Sequence, residues 1–168
     1  MRTNPHSMTH DLRTRLDAFL RQHTTLTLAT IGPDGPYAAA MFYAHDLTFG
    51  LYFLSDPNTQ HCRNLAAEPR CAATVQADGQ DWQQITGLQI RGWARPISTP
   101  EDWDMAYEIF QAKYPFVGQA LAGTSDAGLA LAGPLARSRF YRLTPQWLRL
   151  IDNRWGFGHK EELMLREV

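Results

Sequence analysis

Apolar residues change their spacing several times along the chain, and each change marks an element. Between about Thr9 and Gln22, Leu12, Leu16, Phe19 and Leu20 recur every three or four positions, the period of an amphipathic helix. From Thr25 to Ile31 threonine alternates with leucine, which predicts a strand. Gly32-Pro33-Asp34-Gly35-Pro36 is a turn signal, and Tyr37 to Tyr43 continues as a second strand. A turn at Asp46 to Thr48 leads to a third strand, Phe49 to Leu54, so these strands form a meander. Pro57 suits the first turn of a short helix capped by Ser55 or Asp56, ending near Glu68-Pro69.

Further along, Cys71 to Gln76 predicts a fourth strand and Trp82 to Ile97 a long fifth one, with a turn at Asp78-Gly79 between them. Thr99-Pro100-Glu101-Asp102 has the grammar of a helix start, followed by an apolar face of Trp103, Ala106, Tyr107 and Phe110. The small residues from Ala122 to Pro134 predict a mobile connection, or functionally a lid. Strands are expected at Arg139 to Leu143, at Trp147 to Ile151 and, after Gly156-Phe157-Gly158, at Lys160 to Leu165. Mostly antiparallel strands with short helices between them predict a mainly β, closed or partly closed barrel. One domain is expected over residues 9–168, behind a disordered lead-in of residues 1–8 in which Met8 is an alternative start.

Composition narrows the function classes. A formal net charge of −1 gives no reason to expect nucleic acid or an anionic membrane as partner. No apolar run approaches the ~20 residues that cross a bilayer, and MRTNPHSMTHDL lacks the apolar core of a secretory signal. Cys62 and Cys71 lack metal-ligand spacing and read as reduced thiols of a cytoplasmic protein. Of the six histidines only His6 and His10 share HxxxH spacing, and two ligands alone do not complete a site, so no local motif builds a metal site.

Four stretches carry candidate chemistry. In FLSDPNTQHCRN, hydroxyls of Ser55 and Thr59, amides of Gln60 and Asn64, and the cations His61 and Arg63 gather at a strand-to-helix junction. Helix-opening N–H groups with such donors suit a phosphate; a helix capped by Asp56 is the bland alternative. Ala38-Ala39-Ala40-Met41-Phe42 leaves backbone accessible to a flat ring, or simply packs beneath the first helix. In LQIRGWAR, Gln89, Arg91, Trp93 and Arg95 share one strand face, suited to a cofactor, a partner subunit or solvent. The tail from Trp147 to Lys160 crowds Trp155, Phe157, His159 and Lys160 around two glycines. No Ser/His/Asp grammar and no spaced acid pair accompanies them, so any redox or transfer chemistry would belong to a cofactor.

In this order, TLATIGPDGPYAAAMFY, LYFLSDPNTQHCRNLAAEPRCAATV and LQIRGWARPI resemble the pyridoxamine 5′-phosphate oxidase-like family of FMN-binding split barrels, over about Leu26 to Lys160. The ending IDNRWGFGHKEE resembles a branch of small bacterial members with a DNxxGFGxK-type tail. The resemblance implies a six-stranded antiparallel split barrel that forms a homodimer, with two FMN sites along the interface. It implies that Ala39, Ala40, Met41 and Phe42 lie against the isoalloxazine, and that Ser55, Thr59, Gln60 and His61 surround the FMN phosphate. Gln89 and Arg91 would lie near the flavin or ribityl chain, and Trp155, Phe157 and Lys160 would approach from the partner subunit. Gln60 stands where many relatives carry Arg or Lys, leaving His61 or Arg63 to supply that charge. The ending Met164-Leu165-Arg166-Glu167-Val168 does not match the arginine-bearing motif of the vitamin B6 biosynthetic oxidase.

The resemblance therefore implies an FMN-dependent oxidoreductase acting on a small organic substrate, other than that biosynthetic oxidase. Two alternatives stand beside it. Haem binding would need an axial ligand, for which His45, His61 and His159 are candidates. A non-enzymatic flavin-binding dimer would need the cofactor site without a substrate site.

Overall fold

The computed structural model describes residues 5–121 and 133–165. Its elements are helix α1 (Pro5–Gln22), strands β1 (Thr25–Gly32), β2 (Gly35–Phe42), β3 (Ala44–His45) and β4 (Leu51–Ser55), helix α2 (Gln60–Ala67), strands β5 (Arg70–Gln76) and β6 (Thr86–Pro96), helices α3 (Pro100–Lys113) and α4 (Pro115–Leu121), strand β7 (Arg139–Asp152), a 3-10 turn (Asn153–Trp155) and strand β8 (Lys160–Met164). All strand pairs are antiparallel, in the order β2-β1-β5-β6-β7-β4-β3, with β8 on the free stretch of β7. Six strands, β2 through β4 in that order, make the curled body, and β3 and β8 are short additions. The edge strand β2 approaches β4 without ladder pairing, which leaves the barrel split.

Period-two alternation decides what fills the barrel. Leu26 and Leu28 on β1, Ala73 and Val75 on β5, Leu88 and Ile90 on β6, and Leu148 and Leu150 on β7 all turn inward and are buried. Leu12, Leu16, Phe19 and Leu20 of α1 and Leu65 of α2 join the same core, as the helical periodicity predicts. A second core lies outside the sheet. There α3 and α4 bring Ala106, Phe110, Tyr114 and Val117 against Ala44, Tyr52 and Phe140. β4 is thus covered on both faces, which explains its unbroken apolar run LYFLS.

Five expectations are corrected. The first strands do not form a meander, because β4 pairs with β7 and β3 while β2 stays at an edge. The stretches 139–143 and 147–151 are one strand, because Pro145 sits at a register shift instead of ending the strand: Arg91 pairs with Trp147 and Gly92 with Pro145, leaving Gln146 as the extra residue. β6 begins at Thr86, not Trp82, and α1 begins at Pro5, ahead of the expected Thr9. α2 is capped at Thr59; Pro57 lies in the turn before it. A two-residue strand, Ala44–His45, was not anticipated. The expected connection from Ala122 lies outside the described residues up to position 132. Among the described residues no helix is long and apolar enough to cross a membrane.

Candidate functional site

α2 starts just past the end of β4, so strand end and helix start share one corner. The first bond of the helix runs from Arg63 N–H to the Thr59 carbonyl, and the Thr59 N–H donates to Asp56. The amides of Gln60, His61 and Cys62 therefore have no acceptor among the described residues, and no side chain caps them. The Thr59 hydroxyl donates to the Asp56 carbonyl, at 2.8 Å, and accepts from no amide of the helix. Asp56 turns its carboxylate away, accepting from the backbone and side-chain amides of Asn58. Three free amides at a helix start form a concentration of positive partial charge.

Ser55 and His61 are buried beside these amides, at 8% and 9% exposure. His61 Nε2 lies 2.7 Å from Ser55 Oγ and 3.1 Å from Thr59 Oγ1, which are 3.3 Å apart. Gln60 faces the other way, donating to Asn64 Oδ1 at 2.8 Å, and Asn64 donates to buried Thr30 Oγ1 at 3.0 Å. The Gln60 carbonyl oxygen accepts from Arg63 Nη2 at 2.7 Å, and Arg63 Nη1 donates to the Asn58 carbonyl. A guanidinium thus stands where Gln60 carries no charge. Cys62, which sequence reasoning left unused, belongs to the same cluster. Burial alone would raise its thiol, but hydrogen bonds with His61, Ser55, Thr59 and Tyr141 outweigh it and bring the pKa down to about 7. Burial, then the neighbouring Cys62, pushes the Tyr141 hydroxyl upward.

Alternation divides the four residues expected on β2. Ala39 and Met41 pair with Leu28 and Leu26 on the interior side, whereas Ala40 and Phe42 lie on the outer face with Ala38. Ala38 and Ala40 are exposed, so packing beneath α1 is excluded as their explanation. The outer face is ordered by register into two rows. One runs Ala40, Thr27, Thr74, Gln89, Arg149 and Glu162; the next runs Ala38, Ala29, Ala72, Arg91, Trp147 and Met164. Gln89 and Arg91 are therefore neighbours on a face that is small and flat toward β2 and cationic toward β8. Arg91 and Arg149 both lie over the Trp147 ring, at 4.1 and 4.6 Å from its centroid, and Arg149 also pairs with Glu162 at 2.7 Å.

The tail does not reach α2 or β2 within one chain. Asp152, buried, holds Arg154 through two guanidinium bonds of 2.8 and 2.7 Å and opens the 3-10 turn. Gly156 and Gly158, at φ +128° and +73°, take backbone conformations that favour glycine, and they set Phe157 out at 84% exposure and Trp155 at 64%. Trp155 lies near His159 and under Arg15, and Phe157 meets Trp82; Lys160 is exposed at the start of β8. Five strand spacings, about 24 Å along the sheet, separate β8 from β2. Nε2 of each candidate haem ligand is engaged: His45 with Asp17, His61 with Ser55, and His159 with Glu161. No group of three or more His, Cys, Asp or Glu side chains suited to a metal occurs among the described residues.

Known proteins agree with this architecture. A UPF0306 protein of Klebsiella pneumoniae (strain 342) is 26% identical over 141 residues, covering 83% of this chain and 84% of that one. The conserved hypothetical protein Rv2991 of Mycobacterium tuberculosis superimposes with a TM-score of 0.66 at 25% identity, covering 87% of this chain and 88% of that one. A haem-binding protein from Mycobacterium smegmatis shares the fold at a TM-score of 0.65 and 18% identity, over 90% of this chain and 56% of the other. The model of the pyridoxamine 5′-phosphate oxidase family matches residues 12–152, which span strands β1 to β7 and all or part of each of the four helices, and the chain belongs to that family.

Proposed function

We propose that the protein is an FMN-binding homodimer whose flavin serves redox chemistry on a small organic substrate, distinct from the vitamin B6 biosynthetic oxidase. The observation that carries this reading is the start of α2, where three amides are free, Asp56 is turned aside, and Ser55, Thr59 and His61 stand within hydrogen-bonding distance of one another. That donor set fits a phosphate monoester. Bound flavin would supply two-electron chemistry that no side-chain pair of this chain offers. Ser55, Thr59, His61 and the α2 amides would hold the phosphate, with Arg63, positioned by Gln60, adding charge. Ala40 and Phe42 would offer the small, flat edge of the outer face to the ring, with Gln89 and Arg91 on the same face.

Among the described residues, the ring contacts of the tail are with Arg15, Trp82 and His159 and none is with α2 or β2, which supports a shared site in which Trp155, Phe157 and Lys160 would serve the partner's cofactor. The haem-binding neighbour keeps a second ligand in view, but each candidate axial histidine would have to give up its present partner.

The test is reconstitution with FMN, desalting and a visible spectrum. Bands near ~450 and ~375 nm are expected to survive desalting. The Thr59→Ala/His61→Ala double variant should lose at least about tenfold in FMN affinity by fluorescence quenching, about 1.4 kcal/mol. Wild-type affinity in the double variant would remove the phosphate assignment.

A further inference from the structure

A cavity of about 400 Å³ lies between the start of α3 and the outer side of β6 and β7, and it shares no residue with the α2 cluster. Two arginines line it. Arg95 and Arg142 are direct cross-strand partners, which brings like charges side by side at a cost to the sheet. That cost is offset only on the Arg142 side, where Asp46 and the Tyr52 ring face the guanidinium. Arg142 donates through Nη2 to Asp46 Oδ2 at 3.1 Å and Thr48 Oγ1 at 3.2 Å, but its buried Nε has no partner. Arg95 makes no hydrogen bond, ion pair or ring contact with the described residues. Trp93, Ile97 and Met105 complete an apolar wall.

We propose that this cavity binds a small organic monoanion with a flat apolar body, an aromatic carboxylate being the class that fits. A carboxylate accepts from a guanidinium in fork geometry, and the indole of Trp93 offers a surface for a ring. The charge balance selects a monoanion over phosphate. Asp46 already neutralises Arg142, and Asp102, on the wall, is held by Thr99 at the start of α3, whose dipole offsets it. About one positive charge, that of Arg95, is left, and a dianion would face Asp102.

The experiment is calorimetric titration of the full-length protein with benzoate, benzamide and inorganic phosphate, with tryptophan fluorescence followed in parallel. Benzoate should bind saturably, and the uncharged benzamide and phosphate at least about tenfold more weakly. Arg95→Gln, at an exposed position, should weaken benzoate at least about tenfold while leaving the unfolding temperature and FMN binding unchanged. Trp93→Phe should abolish the fluorescence response. No benzoate binding up to about 10 mM, equal binding of benzoate and benzamide, or equal affinity in Arg95→Gln would overturn the proposal. Loss of self-association in Arg95→Gln by sedimentation velocity would instead assign the arginine pair to a subunit contact, and would overturn it too.

Discussion

Cys62 and Cys71 are the same chemical group nine positions apart, and their surroundings pull them in opposite directions. Burial without polar partners pushes the Cys71 thiol up to about 12. At Cys62 burial is outweighed by His61, Ser55, Thr59 and Tyr141, and the thiol titrates at about 7. Thiolate absorbance near 240 nm should therefore rise by one equivalent between about pH 6 and 8. The step should vanish in Cys62→Ser and persist in Cys71→Ser; its persistence in Cys62→Ser would show the acidity to belong elsewhere. The folded thiol is more acidic than the unfolded one, so between about pH 7 and 9 the unfolded chain holds the extra proton. The stability Cys62 contributes is then present above about pH 9 and lost as pH falls through about 7. Much of this site was legible in the sequence, because Ser55, Thr59 and His61 come from one stretch of strand and helix; Cys62 lies in the same stretch, but nothing in its neighbours' spacing marks its thiol. Tyr141 was not, since it arrives from β7, and no local pattern links it to α2. The bland alternative failed for an equally local reason: Asp56 spends its carboxylate on Asn58.

At the scale of elements, periodicity located most strands and both longer helices, and it failed where two strands adjust to each other. The break expected between Leu143 and Trp147 contains Pro145, yet β7 runs through it because β6 supplies a glycine opposite. A Cβ on Gly92 would stand 2.1 Å from the Thr144 carbonyl oxygen, a backbone atom that cannot turn aside. Gly92→Ala should accordingly destabilise the protein by about 1–3 kcal/mol, read as a lower urea midpoint, and an unchanged midpoint would mean the bulge is soft. Lys113 joins elements in a second way. At the end of α3 its ammonium donates to the carbonyls of Leu20 at 2.8 Å and His23 at 2.6 Å, which close α1. Burial, then the charge of Arg21, lowers its pKa to about 8. Between that value and the ordinary 10.5, the unfolded chain binds a proton that the folded chain does not, so stability rises with pH across the window. Urea midpoints of wild type relative to Lys113→Met should shift in favour of wild type from about pH 7.5 to 10. A flat difference would show the ammonium to be as well held as in water.

For the whole molecule, the decisive fact is which side of the sheet α3 covers. Sequence alternation assigns residues to two faces, but it cannot say that α3 and α4 cover the outer side of β3, β4 and the start of β7 and meet Phe42 at the end of β2, leaving Ala38 and Ala40 of β2, β1, β5 and the second half of β7 uncovered. That follows from a chain reversal after β6, a non-local event. The bare face is small at Ala38, Ala29 and Ala72 and carries Arg91, Trp147 and Arg149 beside them. Small side chains let a second sheet or a flat ring approach closely, whereas a long charged side chain there, even one paired with Arg91, would hold the second surface off. Ala72→Glu puts that charge in the middle of the row, where the neighbouring alanines leave room for it in a single folded chain. It should give a folded monomer by sedimentation velocity and circular dichroism, while Ala72→Thr should remain a dimer. If the flavin site is shared between subunits, FMN affinity should fall with the dimer, by at least about tenfold, although no α2 donor has been touched. A dimer that survives Ala72→Glu would place the subunit contact on another face. A monomer that keeps wild-type FMN affinity would show that one chain holds the cofactor alone, and that the aromatic tail around Phe157 serves some other end.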